Sequence, residues 1–207
     1  MMAQKVCYLL AELHVLASII MMLAKEMQAC VDEERLYHMQ NVIERYRKHE
    51  DIEVTKQGDN HDYQYLKENF EVFNRLERLR DDWSEVVDRT WQTLYENGFD
   101  NYKCIYDGFY NEFVSEFGQK EWDIFREQIM MFFIYTYFCG AVYDDCIYSK
   151  VGMAVYACVY ISEIIMSDWL NNKFVTLDDC IRVAYRYARE VEHSDINLNI
   201  MEEWFYK

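Results

Sequence analysis

The chain has no proline and only six glycines among its 207 residues. A β-rich or loop-rich fold needs turn residues at short intervals, and this sequence does not supply them. The six glycines, at 58, 98, 108, 118, 140 and 152, stand singly. They therefore build no phosphate loop and no glycine-rich turn of the kind that cradles a nucleotide in a doubly wound fold. H-E-x-x-H and the G-x-S-x-G elbow are also missing, which removes the commonest signatures of metalloproteases and α/β-hydrolases. Positive charge is scarce, with 21 Lys and Arg against 37 Asp and Glu and a net charge of −16. A surface so acidic repels phosphate backbones, so nucleic acid is a poor partner and a basic protein a better one.

The cysteines number seven, at 7, 30, 104, 139, 146, 158 and 180, and no two form C-x-x-C. Most have apolar neighbours, which reads as buried reduced thiols in a reducing compartment, hence a cytoplasmic protein. Cys139 and Cys146 fall on one helix face, too few for a metal site. Glu190-Val191-Glu192-His193 has the Glu-x-x-His spacing of a di-iron bundle, but no second copy exists. The run Leu13 to Ala24 is interrupted at Glu12 and His14 and lacks a cleavage motif, so it is no signal peptide. The longest uncharged stretch, Gln128 to Tyr143, is shorter than the roughly 20 residues that span a bilayer. No membrane partner is expected.

What is abundant is apolar and aromatic, 52% and 17% of residues. That is ample for a core, and the spacing is helical almost throughout. Leu9, Leu13, Leu16, Ile20 and Leu23 mark a first amphipathic helix, and a charged one covers Asp32 to Lys48. Asp51 to Asp62 is the most polar stretch and the best place for a loop. Helices are expected from Tyr65 through Leu79, Trp83 to Tyr95 with a stop at Asn97-Gly98, and Tyr102 to Phe117. Two long apolar ones follow, Glu121 to Tyr143 and Ser149 to Asn171. Thr176-Leu177-Asp178-Asp179 has capping-box form and opens a helix through Val191. Ser194 or Asp195 caps the last helix, ending near Trp204-Phe205. The reading is an all-α bundle of long helices with short connections, one domain over 1–207 with a break near 51–62.

Two polar groupings stand out. Arg182, Tyr185, Arg186, Arg189, Glu190, Glu192 and His193 crowd one helix, where Arg186 reaches Glu190 and both Arg189 and Glu190 reach His193 by helical spacing. Such a row can hold a histidine or clamp an anion, and it can equally be a solvated face of ion pairs. Tyr143-Asp144-Asp145 brings charge to the end of an aromatic helix, which suits a cationic amine or an ordinary helix end. Tyr135, Tyr137 and Phe138 read as core packing.

Two segments go further. Glu127-Gln128-Ile129, Phe132 through Phe138 and Gly140 through Asp144 form one. Tyr185-Arg186-Tyr187-Ala188-Arg189-Glu190-Val191-Glu192-His193-Ser194-Asp195, with Asn197-Leu198, forms the other. Together they resemble the C-terminal part of the flagellin lysine-N-methylase family, most firmly over 121–207. The resemblance implies methyl transfer from S-adenosylmethionine to lysine side chains of flagellin or another lysine-rich protein. On it, Arg189, Glu190 and His193 line or brace the catalytic site, and Tyr143 and Asp144 contact the substrate lysine. It also implies an iron–sulfur cluster in a cysteine-rich segment that has no counterpart here. The expectation is a truncated or split member, with a separate cysteine-rich domain as partner. The alternative is a non-catalytic acidic helical module that binds flagellin or another basic protein.

Overall fold

The structure is a computed structural model, described here for residues 60–138, 147–172 and 175–205. Every regular element among them is helical. In chain order they are α1 (Asn60–Phe70), a 3-10 turn (Glu71–Asn74), α2 (Asp81–Leu94), α3 (Phe99–Phe109), α4 (Gln119–Phe138), α5 (Ile147–Asn172), α6 (Leu177–Glu192) and α7 (Asp195–Phe205). Helix α3 runs on through a π turn (Tyr110–Val114) and a last α turn (Ser115–Phe117).

Helix α5 is the axis of the bundle, and α2, α3, α4, α6 and α7 all pack on it. Its residues are apolar on every side, the mark of a helix enclosed by others. Val151, Ala154, Ala157, Cys158, Ile161, Ile164, Ile165 and Trp169 are all buried. By length and composition Ser149–Asn172 could cross a membrane, but 78% of its apolar window is buried inside the bundle, which marks it as a core helix. The surrounding helices show one buried stripe each. In α2 it is Trp83, Val86, Val87, Thr90 and Leu94. In α6 it is Cys180, Val183, Tyr187, Glu190 and Val191.

The elements end where local chemistry ends them. Gly118, at φ 107°, closes the α3 run in a conformation costly for any residue with a Cβ. Thr176 forms the expected capping box with Asp179, the hydroxyl accepting from the Asp179 amide at 3.2 Å. Ser194 caps α7 by accepting from the Asn197 amide at 3.1 Å. Gly152 is a contact position: a Cβ there would lie 3.1 Å from Phe205 Cβ, so its absence lets α7 approach α5. Phe205 then stacks on Tyr156 with centroids 4.5 Å apart.

Three expectations change. The helix expected from Tyr65 through Leu79 begins earlier, at Asn60, and breaks at Phe70 into the 3-10 turn. The residues after Asn74 then leave the helix to reach the start of α6's far end, a tertiary demand that periodicity does not carry. The polar stretch expected as a loop to Asp62 is helical from Asn60, and its earlier part lies outside the described residues. Gly98 is the N-cap of α3 rather than the stop of α2, which ends at Leu94. The N-terminal helices, and Cys7, Cys30, Cys139 and Cys146, also lie outside the described residues.

Candidate functional site

The C-terminal end of α6 carries two distinct polar arrangements. The first is a latch. Asn197 is fully buried at the start of α7. Its side-chain oxygen accepts from the Glu77 amide at 2.7 Å, and its NH2 donates to the carbonyls of Glu77 at 2.9 Å and Glu190 at 2.7 Å. Glu190 Oε2 accepts from the Leu79 amide at 3.0 Å, and the Ser194 hydroxyl donates to the Glu77 carboxylate. The segment between the 3-10 turn and α2 is thereby tied to the α6–α7 turn. Its buried backbone groups would otherwise lack partners.

The second arrangement has unmet hydrogen-bonding capacity. Tyr187 sits in an aromatic box, with ring centroids 5.5 Å from Phe133, 6.2 Å from Phe73, 6.4 Å from Trp83 and 6.5 Å from Tyr160. Tyr137, one helical repeat beyond Phe133 on α4, stacks on it at 5.5 Å. Glu192, at the end of α6, is half-buried beside both tyrosines. The hydroxyls of Tyr137 and Tyr187 and Oε1 of Glu192 are all buried without a hydrogen-bond partner. Buried polar groups are normally paired, so three neighbours left open together give this spot unused hydrogen-bonding capacity.

The electrostatics favour a cationic guest. Burial pushes the Glu192 carboxyl up to about 7. Burial, and then the negative charge of Glu192, hold the Tyr187 phenol far above its ordinary value. Tyr137 is raised by burial, by Tyr187 and by Glu192. Both phenols therefore stay protonated and neutral, and the single group that changes charge near neutral pH is the carboxylate.

The residues singled out from the sequence fall in different places. Glu190 is 1% exposed and belongs to the latch, with Oε1 still unpartnered. Arg189 lies over the Tyr185 ring, 5.6 Å from its centroid. His193 is exposed, at the C-cap of α6. Arg186 does not pair with Glu190, contrary to the helical-spacing expectation. It reaches across to the Asp82 carboxylate on α2 at 2.8 Å, because Glu190 turns into the core. Tyr143 and Asp144 lie outside the described residues.

A family model described as the FliB lysine N-methylase C-terminal domain matches residues 13–207. The chain belongs to this family. No curated protein and no solved structure matches it. The two segments that carried the resemblance meet in the fold: Tyr137 comes from one, and Tyr187 and Glu192 from the other.

Sequence reasoning singled out Glu190 and not Glu192; its reading of Tyr137 as core packing holds, whereas Tyr135 is exposed. The two glutamates are about 200° apart around a helix, so only one can join the latch. Which one does so depends on α7 and the Glu77 segment, not on α6 itself. A usable signal did exist, since tyrosines and a carboxylate recur in both family-like segments of an apolar bundle.

The described residues do not fit the iron–sulfur cluster the family implies. The cysteines among them are exposed Cys104 and buried Cys158 and Cys180, and no three His, Cys, Asp or Glu side chains gather there as metal ligands. No chemical step is therefore assigned here to a cluster.

Proposed function

We propose that the Tyr137–Tyr187–Glu192 site receives the side chain of a lysine and prepares its amine for methylation. The observation that supports this is the set of three buried, unpartnered oxygens inside an aromatic box. An ammonium carries three N–H donors, and the site offers three acceptors among aromatic rings, whose faces attract cations. Methylation requires the neutral amine, because the ammonium has no lone pair. The proton passes from Nζ to the Glu192 carboxylate, whose raised affinity makes it a competent base near neutral pH. The phenol oxygens of Tyr137 and Tyr187 accept the remaining N–H bonds and aim the lone pair. The surrounding rings exclude water and favour the uncharged amine. S-adenosylmethionine, by family, supplies the methyl group.

The substrate is a lysine of flagellin or another lysine-rich protein, met in the cytoplasm by a surface of net charge −16. Arg189, Glu190 and His193 act as braces. The latch through Glu190 and the Arg189–Tyr185 contact set the angle at which α6 presents Glu192. By the family resemblance Tyr143 and Asp144, which lie outside the described residues, are further candidates for contact with the lysine.

The test is co-expression with flagellin and intact-mass measurement, adding a cysteine-rich partner if the chain alone is silent. Mass gains of one methyl unit are expected with the native chain. Glu192→Gln should lower the rate by about 10²-fold or more and remove the rise of kcat/KM with pH near 7. Unchanged methylation by Glu192→Gln would exclude the site.

A second reading follows from the lack of a glycine-rich cofactor loop in the sequence: the same site reads lysine without modifying it. Calorimetry with S-adenosylmethionine separates the two. Micromolar binding supports the enzyme, and silence alongside lysine-peptide binding supports the module.

A further inference from the structure

The bundle buries two oppositely charged residue types that do not meet. Glu163 on α5 is 4% exposed and accepts a hydrogen bond from the Tyr102 hydroxyl at 2.8 Å, with its other oxygen unpartnered. Arg126 on α4 is 5% exposed. Among the described residues the groups that act on its charge are Tyr110, Cys158 and Tyr106, and no carboxylate is among them. Its Nε has no partner, and the Cys158 thiol, which donates to the Arg126 carbonyl, also lies within hydrogen-bond reach of the guanidinium but is held neutral by burial. A buried carboxyl can escape its desolvation cost by keeping its proton. A guanidinium cannot, so Arg126 remains a cation in the interior.

We propose that Arg126, with the hydroxyls of Tyr106 and Tyr110, forms a binding site for the carboxylate of a small-molecule acid. The guanidinium fork matches a carboxylate in two parallel hydrogen bonds, and the Tyr106–Tyr110 pair, whose hydroxyls are hydrogen-bonded to each other, leaves one further donor. The rings of Tyr106 and Tyr110 lie 4.6 Å apart. Tyr110 opens the π turn of α3, a distortion that often marks functional positions and here keeps Phe109, Tyr110, Phe113 and Val114 all buried. Arg126, Tyr110 and Cys158 are buried, while Tyr106 is half-exposed and forms the entrance. The charge balance selects the class of ligand. One cation neutralises one carboxylate, whereas a phosphate dianion would leave a net negative charge buried in an already acidic protein.

This site is separate from the amine site. Arg126 and Tyr137 are about three turns apart on α4, roughly 16 Å. That is too far for the carboxylate and the reacting methyl of one small ligand, so the inference stands without the proposed function.

Thermal shift and calorimetry on the full chain test it with acetate, L-methionine and S-adenosylmethionine as carboxylate probes. L-methioninamide, which lacks the carboxylate, and inorganic sulfate are the controls. A millimolar carboxylate should raise the melting temperature while the controls leave it unchanged. A response to acetate and L-methionine supports the site, while a response confined to S-adenosylmethionine shows recognition of another part of that molecule and overturns the proposal. Arg126→Met should abolish the shift without lowering the ligand-free melting temperature, since it removes an uncompensated buried charge. Tyr106→Phe, which keeps the fold, should weaken binding about five- to tenfold, the loss of one hydrogen bond. No carboxylate-dependent shift in the native chain, or a shift that survives in Tyr106→Phe at full strength, overturns the proposal.

Discussion

Asn197 and Arg186 show how far residues of similar appearance differ in worth. Asn197 makes three hydrogen bonds to backbone groups in the interior, and each would leave an unsatisfied partner if removed. Asn197→Ala should cost about 2–4 kcal/mol, read from urea unfolding. Asn197→Asp should be worse, because it places a charge beside Glu77 and Glu190. Arg186, in an exposed pair with Asp82, should cost under about 1 kcal/mol on replacement by alanine. The thiols divide in the same way. Burial pushes Cys180 up to about 12 and raises Cys158, whereas Cys104 is exposed. Among these three, native-state alkylation followed by peptide mapping should mark Cys104 alone.

Helix ends were the most legible features at the scale of elements, because capping is local chemistry. The Thr176–Asp179 box is visible in four consecutive residues and is present as written. Thr176→Ala should destabilise by about 1 kcal/mol. Gly152 carries a message that its neighbours cannot announce. It sits inside a strongly helical pattern where glycine is otherwise unfavourable, and its purpose lies on another helix. Gly152→Ala brings a Cβ within 3.1 Å of Phe205, so despite better helix propensity it should lower the melting temperature and loosen α7. A higher melting temperature would show that α7 can shift at no cost. The π turn is likewise absent from any local pattern, since the extra residue is accommodated by what α3 packs against.

Buried carboxyls set the behaviour of the molecule with pH. Glu163 is pushed up to about 8 and Glu192 to about 7, both by burial, from an ordinary value of 4.5. In that window the folded chain holds protons that the unfolded chain has released. Stability is therefore greatest below about 4.5 as far as these groups contribute, and it declines as pH rises toward 8. Melting temperatures across pH 5 to 9 should fall, and Glu163→Gln should flatten the descent and raise the value at pH 9. A Glu163→Gln profile parallel to the native one would remove Glu163 as the cause.

The sequence alone determined that this is a helical protein, where most of its helices lie, and which family it resembles. Those properties follow from periodicity, from caps and from the scarcity of turn residues, all readable within a few positions. It did not determine which polar residues face inward. Glu190 and Glu192 have the same side chain two positions apart, and Tyr137 has the spacing of any core aromatic. Only the packing of α6 against α4, α5 and α7 makes one glutamate a brace and leaves the other open beside two tyrosines. The same holds for Arg126, which has no carboxylate partner among the described residues once α3, α4 and α5 have closed around it. Burial turns an ordinary side chain into a site, and burial is a property of neighbours distant in the chain.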